Sequence, residues 1–368
     1  MESFMQDLLV QVQQIDFMAL LHILRPAIIC FTATKVLNNY ELHKDYHPKN
    51  IAKVVLPPEL KREYTELDIE KIASQKYGEA LLKFTNVITK NFNPKDLTNF
   101  YNNIQTLKTK TSNFYFRNSI FGGNVVGTYA PKKNEICFEE GKIDTTIYHE
   151  LFHMSSSKVT GTTRYSGFNQ VSFPLFNSIG ISLDEGYTEL LAERYFGYDS
   201  KVAFNYSYLM YIVEHVEQII GRETMESLYL NSNLRGLIEE LCKYMSEEDV
   251  MGFITSTDFI FKHINDSLNK PFGKNMLLKS FKNVNKFLIQ CACRKLKYNI
   301  INNNKEEGIS HLEQFSKFIT SLELRINIKG QKQDIITVEE LNRCINETLG
   351  NNSFNFEFYR EEKEAKTK

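Results

Sequence analysis

The stretch 144–157, DTTIYHELFHMSSS, constrains this chain more than any other. His149, Glu150 and His153 spell H-E-x-x-H, and residues four apart on a helix stack on one face, so both imidazoles point at a common spot. The helix follows from the pattern: Asp144 or Thr145 can cap it, Ile147, Leu151 and Met154 make an apolar stripe, and the serines 155–157 end it. Neutral imidazole is a good Zn²⁺ ligand, and two supply half of a tetrahedral shell. A catalytic site needs one more protein ligand and an open position for water. Glu150 borders that open position and is placed to take a proton from metal-activated water. His43 and His47 in HKDYH repeat the spacing, but they lack the glutamate and Pro48 follows at once, so they read as solvated surface.

A third ligand comes from residues 181–196, ISLDEGYTELLAERYF, which read as a second helix with Leu183, Tyr187, Leu190, Leu191 and Tyr195 on its buried side. Glu185 and Glu189, again four apart, share a face. Ser182 and Glu185 also fit a capping box, in which Glu185 reaches back to the Ser182 amide. Beside an intact H-E-x-x-H the ligand reading is preferred, because the motif needs a carboxylate and this helix presents one.

On these two stretches the chain resembles the gluzincin metallopeptidases, the thermolysin-like class, over roughly residues 120–230. There H-E-x-x-H is followed by a helix carrying a glutamate ligand in a segment of the N-E-x-x-x-D or N-E-G type; here that segment is Asp184-Glu185-Gly186-Tyr187-Thr188-Glu189. The resemblance implies His149, His153 and Glu185 as zinc ligands, Glu150 as general base, and Glu189 hydrogen-bonded to a ligand histidine to fix its tautomer. Asp184 stands where asparagine is usual, and the interval from His153 to Glu185 is longer than in thermolysin. The implied fold is α+β and predominantly helical, a zincin-like core with a small antiparallel sheet before the H-E-x-x-H helix. Residues 112–140 are rich in β-branched and aromatic side chains around a turn at Pro131–Asn134, which suits such a sheet. By the same resemblance one strand, residues 124–129 or 134–138, forms the rim on which an extended peptide adds as a further strand.

Residues 158–181 hold three glycines and no long periodic run; they read as a loop walling the cleft. In the helical segment 204–221, Phe204, Tyr208, Tyr211 and His215 share a face. Tyr208, Tyr211 and His215 are candidates to stabilise an oxyanion, although such a stripe also suits core packing.

The rest bounds the answer. A net charge of -1 offers no field for nucleic acid. The most apolar run, residues 17–34, is broken by His22, Arg25 and Pro26, which argues against a membrane span, and the acidic start MESFMQDLL is unlike a signal peptide. Six scattered cysteines without a C-x-x-C suit a reducing compartment; Cys291 and Cys293 read as packing, and a cytoplasmic location is expected. The expected organisation is a helical region 1–110, a zincin-like core 111–266, a helical region 267–360 with a linker near 269–273, and a frayed tail 361–368. The expected function is zinc-dependent hydrolysis of a peptide or protein substrate by a monomer. The alternative is a zincin-fold module that binds or regulates a partner without turnover.

Overall fold

A computed structural model describes residues 67, 69–112, 127–139, 146–172, 177–197, 204–263, 271–302, 305–328, 331–350 and 355–356. The chain divides into two compact units, residues 1–65 with 172–177 and residues 66–171 with 178–368. Every described helix lies in the second unit, and the boundaries expected at 110 and 267 fall inside it. His43, His47, the run 17–34, the cap residues Asp144 and Thr145 and the tail 361–368 lie outside the described residues.

The second unit is α+β and predominantly helical. Helices α1 (Ile69–Ala73) and α2 (Gly78–Asn91) fall in the region expected to be helical, and Tyr77, in a left-handed conformation (φ 70°), precedes the second. Helix α3 (Thr98–Ile104) leads into strand β1 (Lys108–Ser112), followed by β2 (Gly127–Ala130) and β3 (Glu135–Glu139). The sheet order is β1-β3-β2. β2 runs antiparallel to β3 as expected, but β1 is parallel to it, so this sheet is mixed. Both edges of the central strand β3 are paired, which removes residues 134–138 as a rim for an added peptide; among the described residues β2 is an outer strand.

The H-E-x-x-H helix, α4 (Ile147–Ser156), is set in its roll by an aromatic layer. Phe152 is fully buried between Phe84 of α2, at 5.1 Å between ring centroids, and Phe92, at 6.4 Å. The C-terminal carbonyls of α4 are satisfied locally. Ser155 and Ser156 donate to the Phe152 carbonyl, Ser157 donates to that of His153, and the Asn103 amide donates to those of Met154 and Ser157 at 2.8 Å each.

Where a loop is expected over residues 158–181, the described residues instead form four short strands, β4 (Ser157–Thr160), β5 (Thr163–Ser166), β6 (Asn169–Ser172) and β7 (Asn177–Ile179), in that order in one sheet. Strands of three or four residues, half-exposed along β5 and β6, leave no apolar alternation for a sequence to display.

Helix α5 (Ile181–Phe196) carries the second half of the site and crosses closely against α6 (Phe204–Ile220). A side chain at Gly186 would stand 2.8 Å from the Leu209 carbonyl oxygen, so only glycine permits this approach. Helices α7 (Arg222–Leu230), α8 (Leu234–Cys242) and α9 (Glu247–His263) come after it. Next is α10 (Pro271–Asn302), whose first residue lies in the stretch expected as a linker, because proline opens a helix readily. Then come α11 (Lys305–Thr320), the hairpin β8 (Arg325–Ile328) and β9 (Gln331–Asp334), and α12 (Val338–Leu349). Among the described residues no helix is long and apolar enough to cross a membrane. Cys137, Cys291, Cys293 and Cys344 are buried free thiols.

The N-terminus of α5 is capped from a distance. Asp258 of α9 accepts hydrogen bonds from the backbone N–H groups of Gly180 (2.8 Å) and Ser182 (3.0 Å), and the Ser182 hydroxyl donates to the same carboxylate at 2.8 Å. Ser182 therefore spends its hydroxyl on Asp258 and not on a local capping box. Asp258→Ala strands those buried donors and is expected to cost about 2–4 kcal/mol, a capping loss plus an unsatisfied buried group. Urea unfolding monitored by circular dichroism measures it.

Candidate metal centre

His149 and His153, one turn apart on α4, bring their Nε2 atoms within 3.1 Å of each other. Glu185 enters from α5, its Oε2 3.3 Å from His149 Nε2 and its Oε1 3.7 Å from His153 Nε2. Four ligands at about 2.0–2.1 Å around one ion lie roughly 3.3 Å apart, so these separations match a single tetrahedral centre. The three side chains form a group that could hold a metal ion.

The proton positions reinforce this. His149 Nδ1 lies 2.7 Å from Glu189 Oε2, and His153 Nδ1 lies 3.3 Å from Asp184 Oδ2. Glu189 and Asp184 each meet an Nδ1 atom, which leaves Nε2 of each ring as the atom turned toward Glu185 and able, once deprotonated, to bind a metal. Two imidazole Nε2 atoms and a carboxylate thus face one buried point; without a metal, protons shared with Glu185 hold it together, and a cation that binds there displaces them. Burial opposes a charged imidazole at His149, yet the hydrogen bonds to Glu185 and Glu189 outweigh it and raise its pKa to about 9. At His153 burial is likewise outweighed, chiefly by Asp184 and Glu185. Burial would raise the Glu185 carboxyl, but the two imidazoles hold it well below the usual carboxylate range.

Glu150 is buried on the β2 side of α4. It accepts a hydrogen bond from the backbone of Tyr129, and a side chain at Gly127 would stand 3.0 Å from its Oε1. Burial pushes its pKa up, against the pull of the His149 and His153 imidazoles.

Behind His153 lies a polar support that the sequence did not reveal. Ser166 Oγ of β5 and Thr188 Oγ1 of α5 lie 3.3 Å and 3.4 Å from His153 Nδ1; Thr188 donates to the Asp184 carbonyl, which leaves its oxygen to accept from the Tyr229 hydroxyl at 2.6 Å. The one local signal was the acid at 184 beside the ligand glutamate. Gly167, at φ +49°, closes the β5–β6 turn directly on this support, and a side chain there would overlap Asp184 Oδ1 and the Tyr229 ring. Gly167→Ala is therefore expected to displace Asp184 and weaken metal binding about 10–100-fold, as loss of a partner behind a metal-ligating histidine does. Calorimetric metal titration reads this; unchanged affinity would mean that Asp184 does not orient His153.

Tyr208, Tyr211 and His215 are not brought to this cluster. Tyr208 packs edge-on against Phe281 of α10 at 4.5 Å. The Tyr211 hydroxyl bonds Asn285 at 3.1 Å and accepts from the Glu323 backbone N–H. His215 sits between the Tyr211 carbonyl (2.7 Å) and Ser321 Oγ (2.9 Å), and burial lowers its pKa. The stripe is a packed seam of α6 against α10 and the end of α11, and the oxyanion role expected for it is withdrawn.

No family model, no curated protein and no solved structure matches this chain.

Proposed function

We propose that the protein is a zinc-dependent peptidase of the gluzincin type, with His149, His153 and Glu185 holding the metal and Glu150 acting as general base. The observation that carries this reading is the convergence of two Nε2 atoms and one carboxylate at 3.1–3.7 Å, beside a buried glutamate that is not part of the triad. Two imidazoles and one carboxylate are a donor set that zinc accepts, with a fourth position left for water or substrate. Bound there, zinc supplies Lewis acidity, acidifying water and polarising a carbonyl.

The chain's own groups do the rest. Glu189 and Asp184 keep both imidazoles in the ligating tautomer. Glu150, one residue from His149 but turned toward β2, removes a proton from the attacking water and returns it to the leaving amine. Beside Glu150, β2 has an edge that is unpaired among the described residues, so an extended peptide adding along it passes the base.

The test is incubation of the purified protein with a mixed peptide library, read by mass spectrometry, with and without a chelator. Cleavage that disappears with chelator and returns with one equivalent of zinc supports the reading; a stoichiometric metal without cleavage moves the protein to the class of non-hydrolytic binding modules.

A further inference from the structure

We propose that a second site, distinct from the metal centre, binds a single-tailed anionic amphiphile: a carboxylate or phosphate on an unbranched apolar body. A cavity of about 560 Å³ lies between the C-terminal end of α6, the later turns of α10 and helix α11. That size falls within the usual range of small-molecule sites. Its floor is apolar and buried, with Ile219, Ala292, Leu296 and Phe318 each 6% exposed or less, while exposed polar side chains, Gln218, Gln314 and Lys317 among them, line its open rim.

Polar side chains mark its two ends: the Asn299 amide meets His311 Nδ1 at 3.3 Å at one, and Ser321, bonded to His215 at 2.9 Å, stands at the other. On α10 the wall runs from Ala292 to Asn299 and on α11 from His311 to Ser321; at 1.5 Å per residue that makes a slot roughly 10–15 Å long. An extended chain of about ten carbons matches that length.

The charge on the walls selects the head group. Lys295 lies midway along the α10 wall and donates to the Gln218 carbonyl at 3.2 Å, which uses one of its three N–H bonds. Lys317 from α11 and Arg222 from α7 add further cations, the latter paired with Glu226 at 2.9 Å. The one carboxylate in the lining, Glu217, is clamped by Arg194 through both oxygens, at 2.7 and 2.9 Å, and also accepts from the Tyr187 hydroxyl. It therefore does not neutralise Lys295. Burial holds the Lys295 ammonium below its ordinary pKa, the mark of a cation short of a counter-charge. An anionic head at Lys295 relieves that deficit while the tail fills the slot.

Isothermal titration of the full chain with decanoate, decyl phosphate and decylammonium tests this. One saturable site for decanoate or decyl phosphate is expected, with decylammonium at least about tenfold weaker; the tighter anion identifies the head group. Lys295→Met keeps the aliphatic stem and should weaken the anions about tenfold while leaving decylammonium unweakened. Ala292→Phe fills the slot and should abolish binding of all three. If that variant does not fold by circular dichroism, Lys295→Met decides alone. His153→Ala, which touches no wall of the cavity, should bind as wild type. No saturable binding, equal affinity for anion and cation, or anion binding indifferent to Lys295→Met overturns the proposal.

Discussion

Glu150→Gln is expected to keep one equivalent of zinc and to cleave peptides about 10²–10⁴-fold more slowly than wild type, the span that a positioned proton acceptor contributes. Glutamine matches the shape of glutamate and can still meet the β2 backbone beside Gly127 and Tyr129, so the fold should survive. What it cannot do is accept a proton. The measurement is single-turnover cleavage of a peptide selected from the library, beside metal content by plasma emission on the same preparations. A variant that cleaves as fast as wild type removes Glu150 from the chemistry. One that loses metal as well has been perturbed structurally, and Glu150→Asp then separates reach from charge.

The second large effect concerns the ion itself. Glu185→Ala and His153→Ala should each fail to retain stoichiometric zinc. If a zinc site worth roughly 10–16 kcal/mol is shared among four ligands, losing one costs about 3–4 kcal/mol, or on the order of 10²–10³ in affinity. Glu189→Gln removes only the partner of His149 Nδ1 and should cost less, about 10–100-fold. That ranking is the discriminating result. Glu189 is 3% exposed and its Oε1 has no hydrogen-bond partner, whereas Glu185 is 19% exposed and faces both Nε2 atoms. Zinc retained in Glu185→Ala but lost in Glu189→Ala would exchange the two roles. Wild-type protein should also lose thermal stability in excess chelator, because an ion bound only by the folded state stabilises it by mass action.

What could be read from the sequence was whatever has a fixed local spacing. The two residues at i and i+4 of α4, and the pair at 185 and 189 on α5, needed only helical periodicity to be placed on common faces. The same periodicity failed at Tyr208, Tyr211 and His215, because α6 is buried on more than one side. A regular stripe says that a face is covered but not by what, and here the cover is α10. The meander 157–179 was illegible because strands this short and this polar carry no alternating pattern. Asp258 was beyond reach for another reason: its acceptors lie on α9 and its donors at Gly180 and Ser182, so no window of sequence contains both.

That last contact fixes when the centre can exist. The carboxylate that orders the first turn of α5, just ahead of Glu185, is supplied 76 positions after Ser182. Ordering through so distant a partner waits on a long loop being closed, so a nascent chain already carrying His149, His153 and Glu185 is still short of the group that settles the glutamate helix. Translation must pass residue 258 before that helix can receive its cap, so any shorter polypeptide carries all three side chains without the contact that orders the turn ahead of Glu185.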